Sequence, residues 1–153
     1  MKKVFRSLLC LSLGSVLVLG ACSKDEDKAA NKVSGNYKGD LTVSVVPTPF
    51  SDVEWSISPD GDNISIKTGE IDAGLGMPLQ ITLSGETVQG ANGIVTFTIP
   101  TQTIQTAIGA LQITSGNGLY TLASKSLVIS ATGTMSMPPL LVPFELSLTG
   151  EKQ

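Results

Sequence analysis

The sequence predicts an all-β domain, an antiparallel barrel or a β-sandwich of about eight to ten strands, which follows a signal peptide and a polar, disordered tether. Apolar and polar residues alternate with a period of two along most of the chain from residue 37 onward, as is typical of half-buried strands. Glycine, proline and asparagine interrupt this alternation at short intervals. Only one short stretch has the apolar spacing of a helix.

Residues 1–21 have the three-part layout of a secretory signal peptide. Lys2, Lys3 and Arg6 form a basic start, and the apolar run over residues 8–19 leads into small residues. This run is shorter than the roughly 20 apolar residues of a membrane-spanning helix, and acidic residues follow it. We therefore expect a cleaved signal and not a stop-transfer anchor.

The end of the signal peptide, Leu19-Gly20-Ala21-Cys22, resembles the bacterial lipobox. In proteins with this motif the cysteine sulfur receives a diacylglycerol, the peptide is cut just before the cysteine, and the new amine is acylated, commonly with palmitate. The resemblance implies that Cys22 is the lipid attachment site and that these covalent lipids take the place of any other cofactor. Two or three acyl chains anchor a protein stably, whereas one gives marginal binding. The alternative is a plain signal peptide with a chance cysteine.

Residues 22–32 are the predicted acylated N-terminus and tether. Ser23 is not the aspartate that resembles an inner-membrane retention signal. The run Lys-Asp-Glu-Asp at residues 24–27 resembles the acidic export signal of Gram-negative lipoproteins displayed on the outer surface. A solvated, disordered tether alone also accounts for such charges. The sequence thus predicts a lipid anchor in the outer membrane with exposure on the cell surface.

The composition of the mature chain excludes several kinds of chemistry. It contains no histidine, and Cys22 is its only cysteine because Cys10 lies in the predicted signal. Thiol nucleophiles, serine-histidine triads, zinc sites and disulfides are therefore not expected. Seven lysines, no arginine and thirteen carboxylates leave a net charge of −6, which is unsuited to nucleic-acid binding. We predict neither an enzyme nor a metal or nucleic-acid partner.

Residues 33–153 form the predicted barrel domain. Alternate apolar residues define its clearest strands: Tyr37, Leu41, Val43 and Val45; Val53, Trp55 and Ile57; Ile64 and Ile66; Leu79, Ile81 and Leu83; Val95, Phe97 and Ile99; Leu127, Ile129 and Ala131; Phe144, Leu146 and Leu148. Pro47 and Pro49 end the first strand, since a proline nitrogen cannot donate to a ladder. The segment Pro-Asp-Gly-Asp-Asn at residues 59–63 predicts a hairpin turn, and residues 137–140 predict a terminal hairpin.

The middle of the chain is less clear. Gly85 and Pro100 are expected to end strands. Between residues 101 and 111 four apolar residues have helical spacing: Ile104, Ala107, Ile108 and Leu111. Threonines, glutamines and Gly109 weaken such a helix, so the alternatives are a short helical turn or an irregular connection into a strand that starts at Leu111. The segment Ser-Gly-Asn-Gly at residues 115–118 predicts a turn.

A family resemblance covers residues 33–153. The segment Val-Ser-Gly-Asn-Tyr-Lys-Gly-Asp-Leu-Thr-Val at residues 33–43 looks like the opening strand of the calycin-like β-barrel lipoproteins of Gram-negative gut-type bacteria. Residues 76–79, residues 116–120 and the closing Leu-Ser-Leu-Thr-Gly at residues 146–150 are similar to that family as well. The resemblance implies a calycin or lipocalin-like barrel of about eight strands. It supplies no catalytic residues.

Few residues remain as candidates for chemistry. Asp60, Asp62 and Asn63 superficially resemble a calcium loop, but Glu70 comes too early to be its bidentate glutamate, so a hairpin turn is favoured. Four carboxylates offer no spacing that singles out a pair for glycoside hydrolysis: Glu54, Glu70, Asp72 and Glu86. Trp55 keeps the phase of its strand and is expected in the core, with a sugar-stacking platform as the alternative.

Two functional hypotheses follow. The first is a surface-tethered, non-enzymatic binding module whose barrel accommodates a small apolar ligand. The alternative is a structural or adhesive accessory subunit of a cell-surface complex, which binds a protein partner through an edge strand or a Ser/Thr-rich face. A poorly filled interior would favour the first hypothesis, and a filled interior the second.

Overall fold

A computed structural model describes residues 28–72, 78–106, 109–137 and 139–153, without the side chains of residues 87–89 and 137. Its elements, in chain order, are α1 Ala29–Val33, β1 Gly35–Val43, β2 Phe50–Asp60, β3 Asn63–Thr68, β4 Ile71–Asp72, β5 Pro78–Leu79, β6 Thr82–Ala91, β7 Ile94–Ile99, β8 Gln102–Thr106, β9 Gly109–Thr121, β10 Ser126–Met137 and β11 Leu140–Lys152. Strands therefore account for most of the described chain, as the alternation predicts.

Eight strands form a closed antiparallel barrel in the order β1, β2, β3, β6, β7, β9, β10 and β11. Each strand pairs with the next of these along the chain, and β11 pairs back with β1, from Tyr37↔Lys152 to Val43↔Leu146. The prediction of an antiparallel β-barrel of about eight strands is confirmed. The structure is a barrel and not the alternative β-sandwich.

The remaining strands prolong strands of the barrel. β8 continues β7 beyond Pro100, because both pair with β9 in one register, Ile99↔Gly116 before the proline and Gln102↔Ile113 after it. β4 and β5 likewise continue the β3–β6 hairpin, with a register change of one residue. These extensions thus lengthen the barrel strands beyond a local interruption in each of them.

The two ends of the barrel differ in character. At the end that we call the α1 end lie α1, the end of β11 and the β2–β3, β6–β7 and β9–β10 connections. Lys28 and Asp62 form an exposed ion pair there, with Nζ and Oδ1 3.9 Å apart. At the opposite end, the far end, Leu140 and Leu141 are 64% and 69% exposed.

Part of the predicted tether, residues 22–32, is helical. Residues 29–32 belong to α1, where Ala30 and Val33 are buried against the barrel. The helix packs on β2, β6 and β7 and covers the α1 end. Two apolar residues three positions apart share one helix face, but so short a pattern gives no clear signal in sequence. The earlier part of the tether, residues 22–27, lies outside the described residues.

The turns expected at the ends of the long hairpins are confirmed. Asp60 pairs with Asn63, and Gly61 between them has φ +66°, a conformation that favours glycine. The last hairpin closes with Met137↔Leu140.

Three expectations for the middle of the chain are wrong. The described residues between 101 and 111 contain no helix, and Ala107 and Ile108 lie outside them. Ile104 and Leu111 are cross-strand partners in the β8–β9 hairpin, and a separation of seven residues fits both a helix and a hairpin. The turn expected at residues 115–118 lies inside β9, and β6 runs through Gly85. These glycines serve close packing: a β-carbon at Gly85 would lie 2.8 Å from Cγ1 of Ile64.

Glycines also make room for aromatic rings inside the barrel. Phe97 is paired with Gly118 across β7 and β9, and its ring occupies the space that a side chain at Gly118 would fill. Phe144 is paired with Gly133 across β10 and β11, where a β-carbon would lie 3.0 Å from Cζ of the ring and would also meet the backbone of Gln112. Large rings over bare backbone let a narrow barrel fill its interior.

Adding a methyl group at Gly118 should therefore destabilise the barrel. We expect Gly118→Ala to cost about 1–3 kcal/mol of unfolding free energy, because the new β-carbon overlaps the Phe97 ring. Gly90→Ala is the control, since its β-carbon would meet Val95 Cγ2 at an ordinary 3.5 Å. Urea denaturation measures both. The cost at Gly118 should shrink in a Phe97→Leu background, and equal costs at the two glycines would contradict this packing.

Candidate functional site

The interior near the α1 end contains a cluster of three buried aromatic residues. The rings of Tyr37 and Trp55 are stacked with centroids 6.1 Å apart, and Tyr120 meets Tyr37 edge-on at 6.0 Å. The Tyr37 hydroxyl donates to the carbonyl oxygen of Val33 in α1. Burial, with a smaller contribution from Tyr120, raises the pKa of the Tyr37 hydroxyl far above its ordinary value. This cluster fastens α1 to the barrel.

Trp55 lies in the core, as predicted, at 2% exposure. Within the described chain, its indole Nε1 is the one buried side-chain nitrogen or oxygen without a hydrogen-bond partner. Thr68, which is also buried, is satisfied because its Oγ1 accepts from the backbone N–H of Ile81 at 2.9 Å. An unpaired buried donor costs about 1–3 kcal/mol. The tryptophan stabilises the barrel by its ring and not by its polar atom.

Apolar side chains fill the barrel interior. Those of all eight barrel strands, of α1 and of the extensions β4, β5 and β8 belong to one continuous buried cluster. Five of the six aromatics of the mature chain lie in this cluster: Tyr37, Trp55, Phe97, Tyr120 and Phe144. The expectation that most aromatics belong to core strands is confirmed. Three depressions of 260–500 Å³ open to solvent on the outside of the wall.

One of these depressions, of about 260 Å³, is rich in hydroxyl groups, and we call it the hydroxyl face. It crosses the outer side of β1, β11, β10 and β9 and includes Thr42, Ser44, Ser115, Asn117, Ser130, Thr132, Glu145 and Ser147. Part of it is internally hydrogen-bonded, since Thr132 Oγ1 lies 3.3 Å from Thr114 Oγ1 and 3.2 Å from Ser115 Oγ. Thr114 and Ser115 both point outward because the β9–β10 register shifts there.

A second depression, of about 480 Å³, lies where β8 separates from β6, and we call it the β6–β8 slot. Its lining contains no charged side chain and consists of Pro78, Gln80, Thr82, Thr103, Ile104, Gln105 and Thr106. At one end of it the Gln102 side chain contacts the backbone of Ser84 through two hydrogen bonds. The slot is an interruption of wall pairing, because β8 pairs with β9 and is not paired with β6 in the described sheet.

The third depression, of about 500 Å³, lies over β1, β2 and β3 and has mixed charge, with Lys38, Glu54 and Lys67 in its lining. Lys38 Nζ also contacts Asp52 Oδ1 at 3.1 Å in an exposed pair. Such exposed pairs contribute little to stability. This surface resembles an ordinary solvated face.

The carboxylates considered for catalysis are dispersed and exposed. Glu54 lies in β2, Glu86 in β6, Asp72 in β4, and Glu70 between β3 and β4. Asp60 and Asp62 lie at the β2–β3 hairpin turn, as predicted. In the part of the chain that the structure describes, no three residues of the metal-ligating types come together. The predicted lipid site, Cys22, lies outside the described residues.

The slot was missed in the sequence. Pro100 predicts only the end of a strand, and the apolar spacing around Ile104 is compatible with a helix. The available signal was the alternation of Gln102, Thr103, Ile104 and Gln105 directly after the proline, which fits a second strand segment. β8 pairs with β9 and separates from β6. This arrangement depends on pairing between distant parts of the chain.

Comparison with known proteins adds no relative: no family model, no curated protein and no solved structure matches the chain. Among the residues described, no helix is long and apolar enough to cross a bilayer.

Removal of the Tyr37 hydroxyl should loosen α1. We expect Tyr37→Phe to lower the unfolding free energy at pH 8 by about 1 kcal/mol, because the hydrogen bond to Val33 is lost. Tyr120→Phe, which leaves that bond in place, is the control. Urea denaturation of both variants and of the wild type provides the comparison.

The same variant should change the response to alkaline pH. The raised pKa means that native Tyr37 keeps its proton while the unfolded chain releases it near pH 10, so its contribution is complete below pH 10 and is lost as the pH rises further. The stability of Tyr37→Phe should therefore fall less steeply above pH 10 than that of the wild type. Parallel pH curves would contradict the assignment.

Proposed function

We propose that this protein is a lipid-tethered, non-enzymatic module of the Gram-negative cell surface that acts as a structural or adhesive accessory subunit. The observation that carries the proposal is the filled interior. Phe97 and Phe144 lie over Gly118 and Gly133 inside the barrel, and they take up space that a small apolar ligand would need. We therefore expect a partner to bind at the outer surface of the barrel.

The outer surface supports this reading by its chemistry. The hydroxyl face and the β6–β8 slot present hydroxyl, amide and backbone groups, and each has at most one charged side chain, Glu145 in the hydroxyl face. Such groups form directional hydrogen bonds to a protein surface or strand, and they are poorly suited to attracting ions or nucleic acid. A protein partner is the occupant that this chemistry fits best.

The position of α1 supports tethering. The predicted anchor at Cys22 precedes Lys28 by six residues, and α1 brings the chain to one end of the barrel. A tether of this length spans at most about 20 Å when extended. We infer that the α1 end lies nearest the outer membrane and that the far end points away from it.

Loss of the lipid attachment site should release the protein from the membrane. We expect Cys22→Ser to move the protein from the membrane fraction to the soluble fraction, because no acyl chain remains to hold it. Cys10→Ser is the matched control, since Cys10 lies within the predicted signal, and this variant should stay with the membrane. Detergent phase partitioning and membrane flotation measure the distribution. Membrane retention of Cys22→Ser would falsify the anchoring proposal.

A filled interior should bind no apolar ligand. We expect native mass spectrometry of the detergent-extracted protein to find no co-purifying apolar molecule, and a fluorescent fatty acid to show no saturable binding. A small lipocalin-type carrier with an open cavity serves as the positive control. One equivalent of bound fatty acid, displaceable by unlabelled fatty acid, would instead support the carrier hypothesis.

A further inference from the structure

Strand β6 loses its neighbour halfway along its length. Over its second half β6 pairs with β7, and the last pair before the slot is Glu86↔Thr98. The same register carried further would place Ser84 opposite Pro100, and a proline nitrogen has no hydrogen to give to a ladder. The β6–β7 pairing therefore stops before Pro100, and in the described sheet β8 pairs with β9 but not with β6.

The Gln102 side chain takes the place of the missing strand. Its Oε1 accepts from the backbone N–H of Ser84 at 2.9 Å, and its Nε2 donates to the carbonyl oxygen of Ser84, also at 2.9 Å. An opposite residue in an antiparallel ladder exchanges the same two bonds. The amide therefore marks where a further strand would lie against β6, and a glutamine side chain separates that position from β8.

Beyond Gln102, toward the far end, both walls of the slot offer backbone groups. Successive residues of a strand direct their N–H and C=O groups to opposite sides. Ile81 bonds to Thr68 on the β3 side, so the backbone groups of Thr82 and Gln80 face the slot. On the other wall, β8 pairs with β9 on one side only.

The β8 edge of the slot lacks the usual protection against strand pairing, whereas Pro78 lies on the opposite side. Natural edge strands are often blocked by lysine, by proline or by a bulge. The five residues of β8, Gln102–Thr106, contain none of these, and the slot lining is uncharged. Thr103 and Gln105 are exposed on the outside, while Ile104 is buried toward the interior. A strand placed here would meet polar neighbours outside and apolar neighbours inside.

We propose that the β6–β8 slot binds an extended, uncharged peptide segment of a partner protein by β-strand addition, which completes the barrel wall. The proposal rests on the proposed function and names the partner class for it. The segment alternates hydroxyl or amide side chains with aliphatic ones, and about four residues match the part of β8 beyond Gln102, roughly 13 Å. It runs antiparallel to one wall and parallel to the other, because β6 and β8 run in opposite directions.

The pairing of the strands favours a free segment over a second copy of this chain. At its Gln102 end the slot is one side chain wide, because the Gln102 amide reaches from β8 to the backbone of Ser84, and beyond that point Gln80, Thr82 and Thr103–Thr106 line it. In a second copy, β8 would bring its own paired β9, and most of the barrel wall is paired on both sides of each strand. A free, extended segment has no such attached neighbour and enters as one strand.

The test uses the detergent-extracted full chain and a synthetic peptide of about seven alternating threonine and valine residues with blocked ends. Hydrogen exchange measured by mass spectrometry follows the backbone amides. With peptide at about 1 mM, we expect exchange to slow at least about tenfold at Gln80 and Thr82 and at the residues of β8 whose N–H groups do not bond to β9. The control peptide has N-methylated valines, which cannot donate, and it should give no protection.

Variants of Thr82 provide the matched comparison. Thr82→Pro removes an N–H that faces the slot and leaves the bonds of β6 to β3 in place, so peptide protection should be lost. Thr82→Val keeps the N–H and a similar shape, so protection should remain. Gln80→Pro makes the same test if Thr82→Pro does not fold, as judged by urea denaturation.

Several outcomes would overturn the proposal: no protection of the native chain, equal protection by the N-methylated peptide, or protection only outside the slot. Protection that grows with protein concentration in the absence of peptide would assign the slot to a second copy. Fatty-acid binding and membrane partitioning test the proposed function without involving the slot. If the peptide experiment fails while the fatty-acid and membrane-partitioning tests give the expected results, only the slot proposal is rejected.

Discussion

The pairing of β1 with β11 is the contact on which the barrel depends. All other wall pairs join strands that follow one another in the chain, apart from the short inserted extensions, whereas this ladder joins the two ends of the domain. The predicted mature chain has no second cysteine to reinforce the closure with a disulfide. Hydrogen bonds and the apolar residues on the inner side of this ladder, Leu41 and Leu148 among them, must hold it.

The filled interior follows from how the closed wall is packed. A small barrel leaves a narrow interior, and here its widest side chains lie over glycines of neighbouring strands. The same packing brings Trp55 close to Gly150 and leaves the indole Nε1 without a partner. Shape complementarity has therefore been achieved at the cost of one hydrogen bond. We therefore propose that partner recognition takes place on the outer surface, where the wall bends or opens.

The sequence predicted the outline of the barrel well and its interruptions poorly. Strand alternation and hairpin turns are local properties, so the long strands, the Asp60–Asn63 turn and the burial of Trp55 could be read directly. Gly85 and the glycines of β9 were mistaken for breaks because the side chains that require them come from other strands. The separation between Ile104 and Leu111 suits a helix and a hairpin equally. The slot could not be predicted from local sequence because it depends on how β6, β8 and β9 pair. The lipid attachment at Cys22 remains a prediction.

The way α1 joins β1 has a mechanical consequence for a tethered protein. A pull on the chain at Lys28 first acts on a helix of five residues, whose contacts with the barrel include the bond from Lys152 Nζ to the carbonyl oxygen of Lys32. Once α1 yields, the force runs along β1, whose ladders to β2 and β11 are then loaded in shear over many bonds at once. In the tethered protein that we propose, the helix would extend first under load, and the barrel would keep its shape.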